Sequence, residues 1–421
     1  MPRYSLGLDY GTNSVRALLV DLDRGEEEAQ AVQTYAHGDD GVLLDPRDPD
    51  LARQDPRDYL DALRVVVPAV LRAAGARPEE VVGIGVDTTA STPIPVDREG
   101  RALTEHDAFA GDLAAHAWLW KDHTSRAEAE EITALARTMR PHFLERCGGA
   151  YSAEWFWAKI LHCARTAPKV FAAADSWVEA CDFVPAWLVG VRDPRALPRS
   201  VCAAGHKAMF ADAWGGLPDA HFLGVLAPEL AELRARLYER AHTADRRAGV
   251  LCAEAAGALG LVPGIPVAVG AIDAHLGAVG ANIAPGVLVK VLGTSSCDMA
   301  VAEPREPMPA AHGLSGVVPG SILPGMLGFE AGQAAVGDVF AWCARAGRRP
   351  GRTDRRGGPA ARRRERAARA RLAPRQPLRA RRSGAVRSGA RPQPAHHARR
   401  DLPRDGRGDR VRRAGDRRAA A

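Results

Sequence analysis

Two short turns combine glycine with small hydroxyl or amide side chains: Gly11-Thr12-Asn13-Ser14 and Gly293-Thr294-Ser295-Ser296. Each lies between two apolar segments, which predicts a β-hairpin. Successive backbone N–H groups in such a turn can cradle an anion, and glycine lets a phosphate approach closely. Either turn alone is equally well explained as ordinary hairpin chemistry. Together they suggest a phosphate site between two similar domains.

Two aspartates near these turns have the chemistry for phosphoryl transfer. Asp9 directly precedes the first turn, where a carboxylate among phosphates would position Mg²⁺. Asp273 follows a short apolar strand and opens a helix, so it could accept a proton from a substrate hydroxyl. An N-cap role is the structural alternative for Asp273. We read His275 as a packed histidine, because the sequence places no second histidine at metal-ligand spacing from it.

Strands and helices alternate along the first 347 residues, which predicts an α/β protein with more than one core. Strands are predicted at residues 4–8, 15–21, 81–87, 267–270, 286–292 and 296–302. Helices are predicted at residues 56–74, 153–165, 171–188, 229–240 and 274–282, the first capped by Asp55. Neither a P-loop nor a complete dinucleotide fingerprint is present.

Composition divides the chain into an acidic body and a basic tail. The whole sequence has a net charge of +6, but residues 348–421 contain 26 arginines, no lysine and six acidic residues. This tail has no aromatic residue and few large aliphatic ones, so we expect it to be disordered. An arginine-rich nucleic-acid arm and a tail without a role are two explanations. We favour a third, a GC-rich gene read out of frame, and regard nucleic-acid binding as improbable.

The remaining composition argues against a secreted protein and against a membrane-spanning protein. There is no apolar run long enough to span a bilayer and no signal-peptide pattern at the N-terminus. The seven cysteines are scattered and form no Cys-x-x-Cys pair, which indicates neither a disulfide framework nor a zinc cluster. We therefore expect a reduced, cytoplasmic location.

Nine segments resemble the FGGY carbohydrate kinases. They are LGLDYGTNSVR (6–16), GIGVDTTASTP (83–93), LWKDHT (119–124), SAEWFWAKI (152–160), AGHK (204–207), WGGLP (214–218), DAHLGAVG (273–280), LGTSSCD (292–298) and EAGQ (330–333). Within the family, Trp120-Lys121-Asp122-His123 is most similar to the L-ribulose kinases, since xylulose and glycerol kinases usually carry an aspartate followed two residues later by arginine in this segment, and no histidine.

The resemblance implies two actin-like, ribonuclease-H-type domains with the active site between them, the second domain being incomplete here. It implies Mg²⁺- and ATP-dependent phosphorylation of L-ribulose to L-ribulose 5-phosphate in L-arabinose catabolism, and a possible homodimer when intact. Another FGGY ketose or polyol kinase, such as a xylulokinase, is the alternative.

The resemblance also assigns roles to individual residues. Asp273 corresponds to the catalytic base and Asp9 to the Mg²⁺-associated carboxylate. The sugar-contacting positions are Ala90, Lys207 and Glu330. The phosphate-binding positions are Gly11, Thr12, Asn13 and Arg16 in the first loop, and Gly293, Thr294 and Ser295 in the second.

We therefore predict three regions. Residues 1–258 form an N-terminal kinase domain with the sugar site and first phosphate loop. Residues 259–347 are the remnant of a C-terminal kinase domain with Asp273 and the second phosphate loop, and residues 348–421 are an out-of-frame tail. A half-built second domain would misplace the second loop, so we expect no measurable activity from this chain.

The out-of-frame explanation makes a direct prediction about the gene. The nucleotides beyond the codon for about Ala344, read in one of the other two frames, should continue the alternating strand and helix pattern of the body. Sequencing that region on both strands tests this. If both other frames contain early stop codons or the same arginine-rich composition, the explanation is wrong.

Overall fold

The computed structural model describes residues 2–293, 295–309, 312–333 and 335–346. The predicted tail therefore lies outside the described residues. The described residues belong to one unit of the chain, Met1–Arg349, and no helix among them is both long and apolar enough to cross a membrane.

The strands of this region are β1 (Tyr4–Tyr10), β2 (Ser14–Asp21), β3 (Glu26–Thr34), β4 (Leu43–Asp45), β5 (Asp48–Gln54), β6 (Val81–Thr88), β7 (Pro93–Val96), β8 (Ala117–Trp118), β9 (Ser176–Glu179), β10 (Arg199–Ser200), β11 (Ala241–His242), β12 (Arg247–Val250), β13 (Pro266–Ala268), β14 (Ala271–Ile272), β15 (Val289–Leu292), β16 (Ser296–Ala302), β17 (Gly316–Pro319) and β18 (Leu327–Gln333).

The α-helices are α1 (Pro56–Ala74), α2 (Arg126–Met139), α3 (Pro141–Glu145), α4 (Phe156–Thr166), α5 (Pro168–Ala173), α6 (Ala180–Val189), α7 (Val201–Lys207), α8 (Ala220–Leu226), α9 (Pro228–Arg234), α10 (Ala253–Leu259), α11 (Asp273–Gly280) and α12 (Gly337–Ala346).

A seven-stranded mixed sheet forms the centre of the N-terminal part. Its order is β12-β13-β6-β1-β2-β3, and β14 also pairs with β6. Strands β1, β2 and β3 are consecutive antiparallel neighbours, whereas β6 lies parallel to β1. Alternating buried positions on β1 and β2 pack against α1, and α6 and α10 contribute to the same core. The predicted α/β class is confirmed.

Helix α1 begins and ends where the sequence predicts. The side chain of Asp55 accepts a hydrogen bond from the backbone N–H of Arg57, and Pro56 occupies the first helical position. Gly75 ends the helix in the left-handed conformation.

Two further cores lie outside the main sheet. One is largely helical and contains the aromatic side chains of Trp155, Phe156 and Trp157. The other lies beneath a four-stranded sheet of order β15-β16-β18-β17, against which α11 packs. This arrangement makes α11 the element that joins the two sheets.

The predicted helix at residues 171–188 is wrong in its first half. Residues Ser176–Glu179 form β9, which pairs with β7 in antiparallel register, and α6 begins only at Ala180. All four residues of β9 are buried, so the strand presents no polar alternation that would separate it from a buried helix. Tertiary pairing with β7 decides the conformation.

The discriminating Trp-Lys-Asp-His segment contains a buried ion pair. Asp122 is fully buried, contacts the guanidinium of Arg53, and accepts a hydrogen bond from the backbone of Ala52 at 2.8 Å. The guanidinium also lies 3.5 Å from the ring centroid of Trp118. Asp122 therefore has a structural role that ties β5 to the loop after β8.

We predict that Asp122→Ala lowers the free energy of unfolding by about 3–5 kcal/mol, because it leaves the Arg53 charge buried without its partner. The double variant Arg53→Met/Asp122→Ala should recover part of this loss, which urea unfolding would measure. Equal destabilisation of the single and double variants would contradict the buried-pair explanation.

Candidate active site

Three carboxylates meet at one edge of the main sheet. Strands β1, β6 and β14 are parallel, and the register places Asp9 beside Asp87 and Asp87 beside Ala271. Asp273 comes directly after β14 as the first residue of α11. Because the carboxyl ends of parallel strands share an edge, the fold collects Asp9, Asp87 and Asp273 there.

Burial and mutual repulsion alter the ionisation of this group. Burial, followed by the neighbouring Asp9 and Asp273 carboxylates, raises the pKa of Asp87 well above its ordinary value. Burial, and then Asp9, raises the pKa of Asp273 to about 7. The Asp273 carboxylate accepts a hydrogen bond from the backbone of Ala274 at 2.6 Å. A carboxylate with a pKa near 7 is suited to accept a proton at neutral pH.

The donor set of this edge fits a hard divalent cation. Asp9 and Asp87 offer carboxylate oxygens, which Mg²⁺ prefers, and the buried Oδ1 of Asp87 has no hydrogen-bond partner. Sequence analysis assigned Asp9 but missed Asp87. An acidic residue at the end of the predicted strand 81–87 was the available signal, but only the parallel pairing with β1 brings it to Asp9.

The first predicted phosphate loop is a tight turn. The N–H of Gly11 donates to the carbonyl of Ser14 at 3.0 Å, and the Oγ1 of Thr12 accepts from the indole of Trp120 at 3.1 Å. The amide of Asn13 donates to the carbonyl of Asp40. Gly11 does not have a positive φ, so its backbone does not itself require glycine.

Arg16 lies opposite Asp9 across the β1–β2 pair, with Nη1 2.6 Å from Asp9 Oδ2. Both side chains are partly exposed. The guanidinium thus lies beside the predicted cation and phosphate region, where it neutralises part of the carboxylate charge.

The second predicted phosphate loop connects β15 and β16. The N–H of Gly293 donates to the carbonyl of Ser295 at 2.8 Å, which closes the turn. Thr294 lies outside the described residues. In the part of the chain that the structure describes, no hydrogen bond or ion pair joins Gly293 or Ser295 to the three carboxylates. The loop connects to that edge through α11, which packs against β15 and β16.

The predicted sugar positions Lys207 and Glu330 are in direct contact. Lys207 Nζ lies 2.7 Å from Glu330 Oε1, and both residues are buried. Burial opposes ionisation of Glu330, but the charge of the Lys207 ammonium holds the pKa of Glu330 well below its usual range. Asp273 is close enough for both charges to influence its pKa.

The helix that carries Lys207 lies unusually close to the second sheet. A Cβ on Gly205 of α7 would fall 2.3 Å from Val318 Cγ1 of β17, a separation that real structures do not tolerate. Glycine at this position therefore permits the packing that brings Lys207 to Glu330 on β18.

Ala90 reaches the same region through backbone that is held firmly. It packs in a small apolar cluster with Cys202 and Ile272, next to Asp273. The buried ammonium of Lys159 donates to the carbonyl of Ser91 at 2.7 Å. This contact was not predicted from the sequence, because Lys159 lies far from Ala90 along the chain.

His275 is buried, which agrees with a packed histidine, but its histidine neighbour was not predicted. His206 lies beside it, with ring centroids 4.8 Å apart, and both imidazoles face Glu330. The sequence separation between the two histidines hid this proximity.

Comparison with protein-family models decides the family. Residues 4–280 match the N-terminal domain of the FGGY family of carbohydrate kinases, and residues 288–392 match its C-terminal domain. The chain belongs to the FGGY family of carbohydrate kinases. The second match extends into the arginine-rich tail. The domain boundary predicted near residue 258 and the out-of-frame origin of the tail both stay predictions.

Curated relatives of this FGGY chain include ribulokinases. It is 42% identical over 343 residues to "Ribulokinase" of Vibrio parahaemolyticus serotype O3:K6 and 44% identical over 354 residues to that of Shouchella clausii. It is 39% identical over 349 residues to that of Mycolicibacterium smegmatis. Each alignment covers 81% of this chain and 60% of the relative. The chain thus spans about 60% of the length of these relatives.

Solved structures support the same fold. A xylulose kinase from Rhodospirillum rubrum aligns with a TM-score of 0.66 and 24% identity, covering 88% of this chain and 67% of that one. A "xyloylose kinase" from Brucella ovis aligns with a TM-score of 0.64 and 24% identity, covering 82% of this chain and 63% of that one. At this identity the likeness shows the fold alone.

The raised pKa of Asp273 predicts a pH-dependent effect on stability. The folded pKa of about 7 exceeds the ordinary value of 3.8, so ionising this carboxylate destabilises the folded state as pH rises between those values. Asp273→Asn should therefore raise the free energy of unfolding at pH 8, on the order of 1–3 kcal/mol, and change it little near pH 3.5.

Urea unfolding at both pH values measures this difference, with Asp107→Asn at an exposed position as the matched control. A stabilisation by Asp273→Asn that is the same at both pH values would show that the Asp273 charge is not its cause.

Proposed function

We propose that this chain carries the active site of an ATP-dependent kinase that phosphorylates L-ribulose to L-ribulose 5-phosphate in L-arabinose catabolism. The observation that supports this most directly is the half-buried Asp273 carboxylate, with its pKa raised to about 7, near the carboxylates of the main sheet and the Lys207–Glu330 pair. The ribulokinase relatives support the choice of sugar.

Asp273 is the general base in this proposal. Its carboxylate accepts the proton of the terminal sugar hydroxyl, and the resulting oxygen is the nucleophile toward the γ-phosphate of ATP. Its raised pKa matches the carboxylate to this task at neutral pH. The position at the start of α11 directs it toward the sheet edge that carries Asp9 and Asp87.

Lys207 and Glu330 are the polar groups that bind and orient the sugar. A buried ammonium donates to hydroxyl or carbonyl oxygens, and a buried carboxylate accepts from hydroxyl groups, so the pair can fix a polyhydroxylated ketose in one orientation. Ala90 contributes a small apolar surface on firmly held backbone beside Asp273.

Phosphate binding falls to the two hairpin turns. Backbone N–H groups around Thr12 and Asn13 in the first turn, and around Ser295 in the second, supply donors for phosphate oxygens. Arg16 adds a positive charge next to the first turn. Asp9 and Asp87 would hold Mg²⁺, which when bound neutralises phosphate charge.

A coupled assay of ADP release tests the proposal. L-Ribulose, D-ribulose, D-xylulose and glycerol are compared with the 421-residue chain and with a version whose reading frame is restored near residue 345. We expect L-ribulose to be preferred in the restored version and no measurable turnover in the 421-residue chain. Preference for D-xylulose or glycerol would favour another FGGY kinase, and comparable turnover in both versions would overturn the expectation for this chain.

In the same assay, Asp273→Asn in the version with the restored reading frame should lower kcat by about 10²- to 10⁴-fold, the usual effect of removing a general base. Isothermal titration should show L-ribulose binding within a few-fold of the parent, since Lys207 and Glu330 are unchanged. Asp107→Asn serves as the matched control. An Asp273→Asn variant that retains more than about a tenth of parental kcat would exclude this role.

A further inference from the structure

Three buried side chains from separate elements converge beside the proposed sugar site. His206 is on α7, His275 on α11 and Glu330 on β18. Their ligand atoms all lie within 4.8 Å of one another, and none of the three side chains is more than marginally exposed. Glu330 Oε2 lies 3.5 Å from His206 Nδ1 and 3.1 Å from His275 Nε2.

The hydrogen bonds around His206 fix its tautomer. Ser321 Oγ donates to the carbonyl of Val318 at 3.1 Å, so it must accept from His206 Nε2, which lies 3.0 Å away. With this proton on Nε2, the neutral form of the ring has no proton on Nδ1. Nδ1 therefore has a free lone pair, and this lone pair lies next to the carboxylate oxygen of Glu330.

The other two atoms of the cluster are also unsatisfied. His275 Nδ1 contacts the thiol of Cys202, which leaves Nε2 to face Glu330. His275 Nε2, His206 Nδ1 and Glu330 Oε2 are all buried without a well-directed hydrogen bond. Buried polar atoms are normally paired. In the His275 tautomer whose proton lies on Nδ1, toward the Cys202 sulfur, the three atoms converge as acceptors that a cation would complete.

We propose that His206, His275 and Glu330 bind a divalent transition-metal ion of the zinc class. Two neutral imidazoles and one carboxylate are a common zinc ligand set, and bonds of about 2.0–2.2 Å in a tetrahedral site separate ligand atoms by about 3.3 Å. The two separations from Glu330 Oε2, 3.5 and 3.1 Å, lie on either side of that value.

The surroundings of the cluster match those of an established metal centre. The second ring nitrogen of each histidine is held, by Ser321 for His206 and by Cys202 for His275, as outer partners hold metal-ligating histidines. A Cβ on Gly316 would lie 2.5 Å from His206 Nδ1, so glycine leaves room beside the ligand atom.

Lys207 limits the affinity without blocking the site. Its ammonium contacts Oε1 of Glu330, so Oε2 remains available to a metal. The positive charge nevertheless weakens cation binding, so the binding constant has to be measured over a wide range of free zinc concentration. Mg²⁺ prefers oxygen ligands, which separates this site chemically from the Asp9–Asp87 edge.

The test measures metal directly and does not depend on sugar kinase activity. The 421-residue chain is stripped with a chelator, titrated with Zn²⁺ in competition with a chromophoric chelator, and analysed for bound zinc by mass spectrometry. Since the tail contains His396 and His397, all titrations use the variant His396→Ala/His397→Ala. We expect one zinc per chain, and four-coordinate Co²⁺ absorption in the visible range when Co²⁺ replaces it.

His206→Gln should weaken zinc binding by about tenfold or more, whereas His116→Gln, which removes another buried imidazole, should not. Circular dichroism confirms that both variants fold. If His206→Gln does not fold, two measurements on the parent replace it. Added Zn²⁺ should abolish the Co²⁺ spectrum, and zinc should raise the Tm of the parent.

Absence of stoichiometric zinc and of any zinc-dependent change in Tm would overturn the proposal. Unchanged zinc affinity in a folded His206→Gln variant would overturn it as well. Either result would leave the proposed kinase function unaffected, because that function is judged by sugar-dependent ADP release.

Discussion

The parallel register of β1, β6 and β14 is the constraint on which the site depends. It places Asp9, Asp87 and Asp273 at one edge of the sheet. Burial and mutual repulsion there make it costly in free energy for all three carboxylates to be ionised together. Burial first, and then repulsion from Asp9, gives Asp273 the proton affinity that a general base needs at neutral pH. The arrangement that destabilises the folded chain is thus the one that makes the edge suitable for a cation and for proton transfer.

The Lys207–Glu330 pair couples this edge to the second sheet. Lys207 ends α7, which follows β10, whereas Glu330 belongs to β18, so the contact closes only when α7 packs on β17. Gly205 permits that approach. Sugar binding at this pair, as proposed, would therefore depend on the placement of the second sheet, and anything that disturbs that sheet also disturbs the charges around Asp273.

Local patterns in the sequence were sufficient for the elements whose boundaries are set by local chemistry. The first hairpin, the Asp55 cap of α1 and β16 agree with prediction because alternation and capping determine them. Strand β9 was missed because a short, wholly buried strand shows no alternation of apolar and polar residues. Asp87 and the His206–His275 contact were missed for another reason, since both depend on pairing between elements far apart in the chain.

Some buried polar groups have partners within the protein, and others have none. The Asp122 carboxylate, paired with Arg53, and the Lys159 ammonium, with its carbonyl partners, are satisfied within the protein, so they define the fold. Asp87 Oδ1 and His206 Nδ1 are equally buried but have no partner. An unpaired buried polar atom destabilises the folded state, because it loses its hydrogen bonds to water and gains none within the protein. Asp87 Oδ1 and His206 Nδ1 lie where phosphate chemistry or sugar binding is proposed, so a bound group would complete them there. Another unpaired atom, Arg53 Nε, belongs to the structural ion pair with Asp122.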